Sequence, residues 1–80
     1  MSVQSNLSSN IMPRLGQNIR NFRQRANLSQ SSLAELLLVT PQAVSKWERG
    51  IALPDIGLLI PLADVFSVSL DELLGRDGYV

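Results

Sequence analysis

The chain has 80 residues, 45% of them hydrophobic, and a formal net charge of zero. That is enough for one small domain with a single core, whose stability depends on good helix ends. It contains neither cysteine nor histidine, which excludes disulfides, the usual zinc ligand sets and histidine-based acid–base catalysis.

No apolar run approaches the ~18 residues that span a bilayer, and MSVQSNLSSN at the N-terminus lacks the basic start and apolar stretch of a signal peptide. A reducing cytoplasm is the expected setting. The zero net charge hides a division. Arg14, Arg20, Arg23, Arg25, Lys46 and Arg49 outweigh Glu35 and Glu48 in residues 1–50, a net of +4. Residues 51–80 set Arg76 against Asp55, Asp64, Asp71, Glu72 and Asp77, a net of −4. The distribution of charge bears on partners more than its sum does.

Residues 1–12, rich in Ser and Asn, have no apolar period and read as a flexible N-terminal arm. The first helix is expected from about Arg14 to about Ala26, because Leu15, Ile19, Phe22 and Ala26 fall on one helical face. Asn27 suits a left-handed stop. The next helix starts at Gln30, capped by Ser29, with Leu28 placed to pack on Leu33. The third starts at Pro41, a favoured first position for proline, capped by Thr40, with Val39 placed on Val44. The last is capped by Ser69 in a capping box with Glu72, with Val68 reaching Leu73. A fourth helix lies between these, from about Asp55 to Phe66, with Leu59, Leu62, Ala63 and Phe66 on one face. Pro61 falls inside it and clashes with the carbonyl of Gly57, so a bend or loosened turn is expected there.

The fold class is therefore all-α: five helices and no strands. The core is expected to bury Leu15, Ile19, Phe22, Leu33, Leu36, Val44, Trp47, Leu59, Leu62, Phe66 and Leu73. Only Leu38 and Val39 separate the second helix from the Thr40 cap of the third, so the two must cross steeply, as in a helix-turn-helix.

Two sides of the third helix differ in chemistry. Val44, Trp47 and Glu48 share one, with Trp47 read as core. Gln42, Ser45, Lys46 and Arg49 recur at i, i+3, i+4 and i+7 on another. This second stripe suits a helix lying in a DNA major groove, and it also describes an ordinary solvated face. Gln pairs bidentately with adenine, Lys donates to guanine, and the methyl of Ala43 matches that of thymine. The free N–H groups at the start of the second helix suit phosphate. Arg20 and Arg25 suit phosphate or plain solvent equally, and so does Arg49. The acidic pair Asp71 and Glu72 fits the positive end of a helix, not a catalytic dyad. Without a phosphate-cradling Gly loop, a metal cluster or a catalytic constellation, no enzyme, metal or cofactor is expected.

The segments IRNFRQRANLSQSSLAELL, VTPQAVSKWERG, LPD and VSLDELLG resemble the Cro/repressor-type (XRE, lambda-repressor-like) helix-turn-helix family over roughly residues 14–75. The resemblance implies a five-helix domain over residues 13–75, with 76–80 a C-terminal tail. It also implies a third helix that reads the major groove, a homodimer at least on DNA, and a palindromic double-stranded operator, in a bacterial or phage regulator that acts as a repressor. It places Gln42, Ala43 and Lys46 against bases, and Gln30 and Thr40 against the sugar–phosphate backbone; Ser45 and Arg49 are backbone candidates from the chemistry of the stripe alone. Arg23 and Glu48 take the positions of an ion pair between the first and third helices. The sequence departs from the family at Leu38 and Ser67, where glycine is usual, and at Pro61. An antitoxin-like protein-interaction module, and the DNA-reading end of a longer regulator, remain alternatives, with no membrane partner in any of them.

Overall fold

A computed structural model of the chain describes the backbone of residues 3–76 and the side chains from Arg14 onward. Its helices are α1 (Val3–Arg25), α2 (Gln30–Leu37), α3 (Pro41–Glu48), α4 (Leu59–Phe66) and α5 (Leu70–Leu74), with a 3-10 turn (Ile56–Leu58) leading into α4. No strand occurs among the described residues, in keeping with the all-α expectation. Residues 77–80 of the expected tail, and the side chains of the expected arm, lie outside the description.

The starts of α2, α3 and α5 lie where local chemistry puts them. Ser29 accepts from the Ser32 amide at 3.0 Å, and Thr40 Oγ1 from the Ala43 amide at 3.1 Å. Ser69 and Glu72 close a complete capping box. Leu28, Val39 and Val68, one residue ahead of each cap, pack half-buried against the core.

The helix ends share a second device. Asn27, Leu38, Gly50, Ser67 and Gly75 all have positive φ, between 58° and 77°. In each case two successive N–H groups turn back to carbonyls of the last helical turn. Leu38 donates to Glu35 and Val39 to Ala34; Ser67 donates to Asp64 and Val68 to Ala63. This is the Schellman arrangement. At three of these ends the second of the two residues, Leu28, Val39 or Val68, is also the apolar staple of the next helix, which keeps those three connections short.

Leu15, Ile19, Leu33, Ala34, Leu37, Val44, Trp47, Leu62, Ala63 and Leu73 form the buried core. Phe22, Leu59 and Phe66 pack half-buried around it, the two phenylalanine rings 5.8 Å apart. α1 crosses the assembly, packing on α3 and α5, while α2 packs on α3.

Three expectations need correction. Leu36 is 59% exposed, not buried. The buried positions of α2 are Leu33, Ala34 and Leu37, an arc centred well over 90° from Leu36 at 100° per residue. α1 begins at Val3, eleven residues ahead of Arg14. Lengthening an existing helix needs no new nucleus, so a stretch without apolar period can still continue one. α4 begins at Leu59, not Asp55. Pro61 therefore stands in its first turn, where the missing N–H has no helical acceptor in any case. The loosened turn expected near Gly57 is present as the 3-10 turn, closed by Leu58 N–H donating to Asp55 O at 2.8 Å.

Candidate nucleic-acid interface

α3 is an eight-residue helix with Thr40 as its cap and Pro41 at its first position. Val44 and Trp47 are buried beneath it. Gln42, Lys46 and Arg49 stand exposed on the opposite side, and Ser45 is half-buried among them. Ala43 is divided between the two faces, half-exposed and packed against the core. The expected polar stripe is thus a continuous solvent-facing strip on a helix with one side locked in the core.

Arg49 does not hang freely. Its Nε donates to Ser45 Oγ at 3.2 Å and to the Ser45 carbonyl at 3.3 Å. The terminal nitrogens of the guanidinium have no such partner among the described residues. Thr40 spends its hydroxyl oxygen as the acceptor of the cap and keeps its O–H as a donor.

Beneath the strip, one ionic network ties three helices together. Arg23 of α1 grips both carboxylate oxygens of Glu48 on α3, Nε to Oε2 at 2.6 Å and Nη2 to Oε1 at 3.0 Å. The two side chains are only 12% and 4% exposed. Arg23 Nη1 also donates to the Leu28 carbonyl at 2.8 Å, in the joint between α1 and α2. The hydrogen bond to Glu48 holds the Arg23 pKa above its ordinary value, against the burial that would lower it, and the nearby carboxylate charge adds to the rise. Its contribution to stability is complete below the unfolded-chain value and fades only as pH rises through the higher folded one. Arg23 is thus charged throughout the neutral range.

Gln30 joins this network, its Nε2 donating to Glu48 Oε1 at 3.1 Å. A residue expected to face phosphate thus also braces α2 against α3, and the backbone N–H groups at the start of α2 remain as donors to the outside.

Gly16 was not singled out by period or motif. It is buried in α1 against the last carbonyls of α3, and a Cβ built there would stand 2.1 Å from the Trp47 oxygen and 3.1 Å from that of Glu48. The signal available was a glycine inside a helical period, which marks close backbone approach. The effect is to let α1 lie directly on the C-terminal end of α3.

The fold and this strip define a helix-turn-helix protein. The helix-turn-helix family model matches residues 19–73, and the chain belongs to that family, in its XRE branch. Among relatives, the HTH-type transcriptional activator BcrR of Enterococcus faecalis is 41% identical over 78% of this chain and 30% of its own length. The HTH-type transcriptional regulator ImmR of Bacillus subtilis is 36% identical over 79% of this chain and 50% of its own. The chain therefore spans half or less of these two relatives. The crystal structure of the P22 c2 repressor in complex with a synthetic operator superposes with a TM-score of 0.73 at 32% identity, covering 79% of this chain and 96% of that one. No helix among the described residues is long and apolar enough to cross a membrane.

Proposed function

We propose that this chain is the DNA-reading domain of a transcription regulator, with residues 13–75 as the binding unit and α3 lying in the major groove of a palindromic operator as one half of a homodimer. In this reading Gln42 and Lys46 read base edges, and Ala43 offers its methyl where the half-exposed side allows. Thr40, Ser45, Arg49 and the start of α2 around Gln30 hold the sugar–phosphate backbone. The carrying observation is the strip itself: Gln42, Lys46 and Arg49 exposed on the side of α3 opposite buried Val44 and Trp47. The likeness to a repressor solved on its operator supports the same orientation.

Pro41 has no side-chain donor, so the bases read directly are few and DNA shape contributes the rest. Repression is the direction we favour, as in the P22 c2 protein and the CTXphi repressor RstR of Vibrio cholerae. The reading assigns no catalysis and no cofactor, and places the protein in the cytoplasm with its DNA.

Selection of bound duplexes from a random pool tests it. A symmetric motif should emerge, and Gln42→Ala or Lys46→Ala should cost about 1–3 kcal/mol on that motif while relaxing preference at one position. Enrichment of no motif would refute the assignment and move an antitoxin-like protein-binding role to first place.

A further inference from the structure

The exposed side of α3 changes character along its length. At 100° per residue Pro41, Ser45 and Arg49 share one ridge of the helix, beside the ridge of Gln42 and Lys46. Toward its C-terminal end the first ridge is polar, with Arg49 Nε donating to Ser45 Oγ at 3.2 Å. At the other end, the one that enters the groove in such motifs, it is the exposed ring of Pro41 at the first helical position. No charged residue occurs between Leu36 and Ser45, so this end of α3 has no cation of its own to hold phosphate.

On the DNA-reading assignment above, we propose that Pro41 is a specificity-determining residue. It recognises the C5-methyl group of a pyrimidine, thymine or 5-methylcytosine, in the base pair next to the one read by Gln42. A pyrrolidine ring in the major groove meets base edges with unequal consequences. It excludes water and offers no hydrogen bond, so a purine N7 or O6, or an exocyclic amine, pressed against it is left without a partner. The C5 edge of a pyrimidine has no polar atom to leave unpaired, and a methyl group there adds apolar area to bury. The ring is also rigid, so no side-chain freedom is lost when the contact forms. Its neighbour Gln42 supplies the complementary chemistry, an amide that pairs with adenine. The proline that removes one hydrogen-bonding position from the footprint thus makes binding sensitive to the presence of a methyl group at that position.

The test uses the duplex selected from the random pool, with the base pair read by Gln42 located by the Gln42→Ala variant. Next to it, each thymine is replaced in turn by deoxyuridine and each cytosine by 5-methylcytosine, so that only the methyl group changes. At one such position wild type should bind the methylated base about fourfold more tightly, the effect of burying one methyl-sized group. Pro41→Ser should bind both members of the pair equally. Pro41→Val, which restores an apolar side chain, should recover part of the difference. Comparing proteins on the same two duplexes cancels any change that the methyl makes to DNA shape. The position is exposed, so both variants should keep the fold, as thermal unfolding checks. Methyl dependence in the thymine pair assigns the source to thymine, and in the cytosine pair alone to methylated cytosine. Wild-type indifference to the methyl in every pair, or a dependence that survives in Pro41→Ser, overturns the proposal while leaving DNA reading intact. Pro41→Val behaving like Pro41→Ser overturns it as well, and assigns the proline to the helix start alone. Enrichment of no motif from the pool refutes the proposal together with the DNA reading.

Discussion

The joint before α3 and the joint before α5 are built from one plan. Each has a left-handed residue, Leu38 at φ 59° or Ser67 at φ 58°, then a valine against the core, then a hydroxyl that caps the next helix. They diverge one step later. The first turn of α5 carries Asp71 and Glu72, and Glu72 closes the capping box by accepting from Ser69 N–H at 2.9 Å. The first turns of α2 and α3 carry no acid at all. A carboxylate there would stabilise the helix start by a few tenths of a kcal/mol to ~1 kcal/mol. It would also occupy the positive end that a phosphate needs. The two helices assigned to DNA leave that end open, and the one away from it closes it.

The largest expected effect concerns how α3 is seated. Glu48→Ala leaves Arg23 and the Gln30 amide without their shared acceptor, and should cost about 3–5 kcal/mol of stability by denaturant titration. No comparable charged tie among the described residues holds α5, which is joined to α1 by the Asn18 amide donating to the Leu73 carbonyl at 3.0 Å. A loss below about 1 kcal/mol would show that packing alone seats α3.

Ala43→Glu gives α3 the capping-box residue that α5 already has, at the same distance from its cap. Affinity for the selected duplex should fall by about 1–3 kcal/mol, while helix content by circular dichroism is kept. The mirror substitution, Glu72→Ala, should cost about 0.5–1 kcal/mol of stability and leave affinity unchanged. If both variants bind DNA equally well, the open helix end has no role in binding.

The left-handed positions sharpen the shared plan. Leu38→Gly and Ser67→Gly each relieve a side chain held at positive φ, and each should raise stability by about 1 kcal/mol in thermal or chemical unfolding. Leu38 is 92% exposed, so its replacement removes little packing. An unchanged or lower stability for Leu38→Gly would mean that this leucine makes a contact worth the strain.

The smallest effect is expected at Pro61. A proline inside α4 should destabilise it, so that Pro61→Ala would be a gain of several kcal/mol. In the first turn of α4 the same substitution should change stability by less than about 0.5 kcal/mol. Differential scanning calorimetry of the two proteins distinguishes the cases.

Ser29, Thr40, Ser69 and the apolar residues before them act within four residues of themselves, so the helix starts they set were legible in the sequence. The left-handed Asn27 was legible for the same reason. Arg23 and Glu48 were reached through family resemblance, and Glu48's place on the Trp47 side of α3 agreed with it. The phase of α2 was harder, because Leu36, Leu37 and Leu38 are all apolar and only the neighbours they meet can choose among them. α4 kept its apolar face but not its start, since a 3-10 turn and a helical turn satisfy the same few residues.

What the sequence by itself determined is therefore the starts of α2, α3 and α5, most of the core and the polar strip of α3, because these depend on hydrogen bonds and side-chain period along a short piece of chain. Tertiary structure alone decided that Leu37 is buried and Leu36 is not, and that Gly16 lies against the Trp47 carbonyl. It alone decided that Gln30 shares Glu48 with Arg23. Each of these joins residues from different helices, and their energies exist only once the helices have packed.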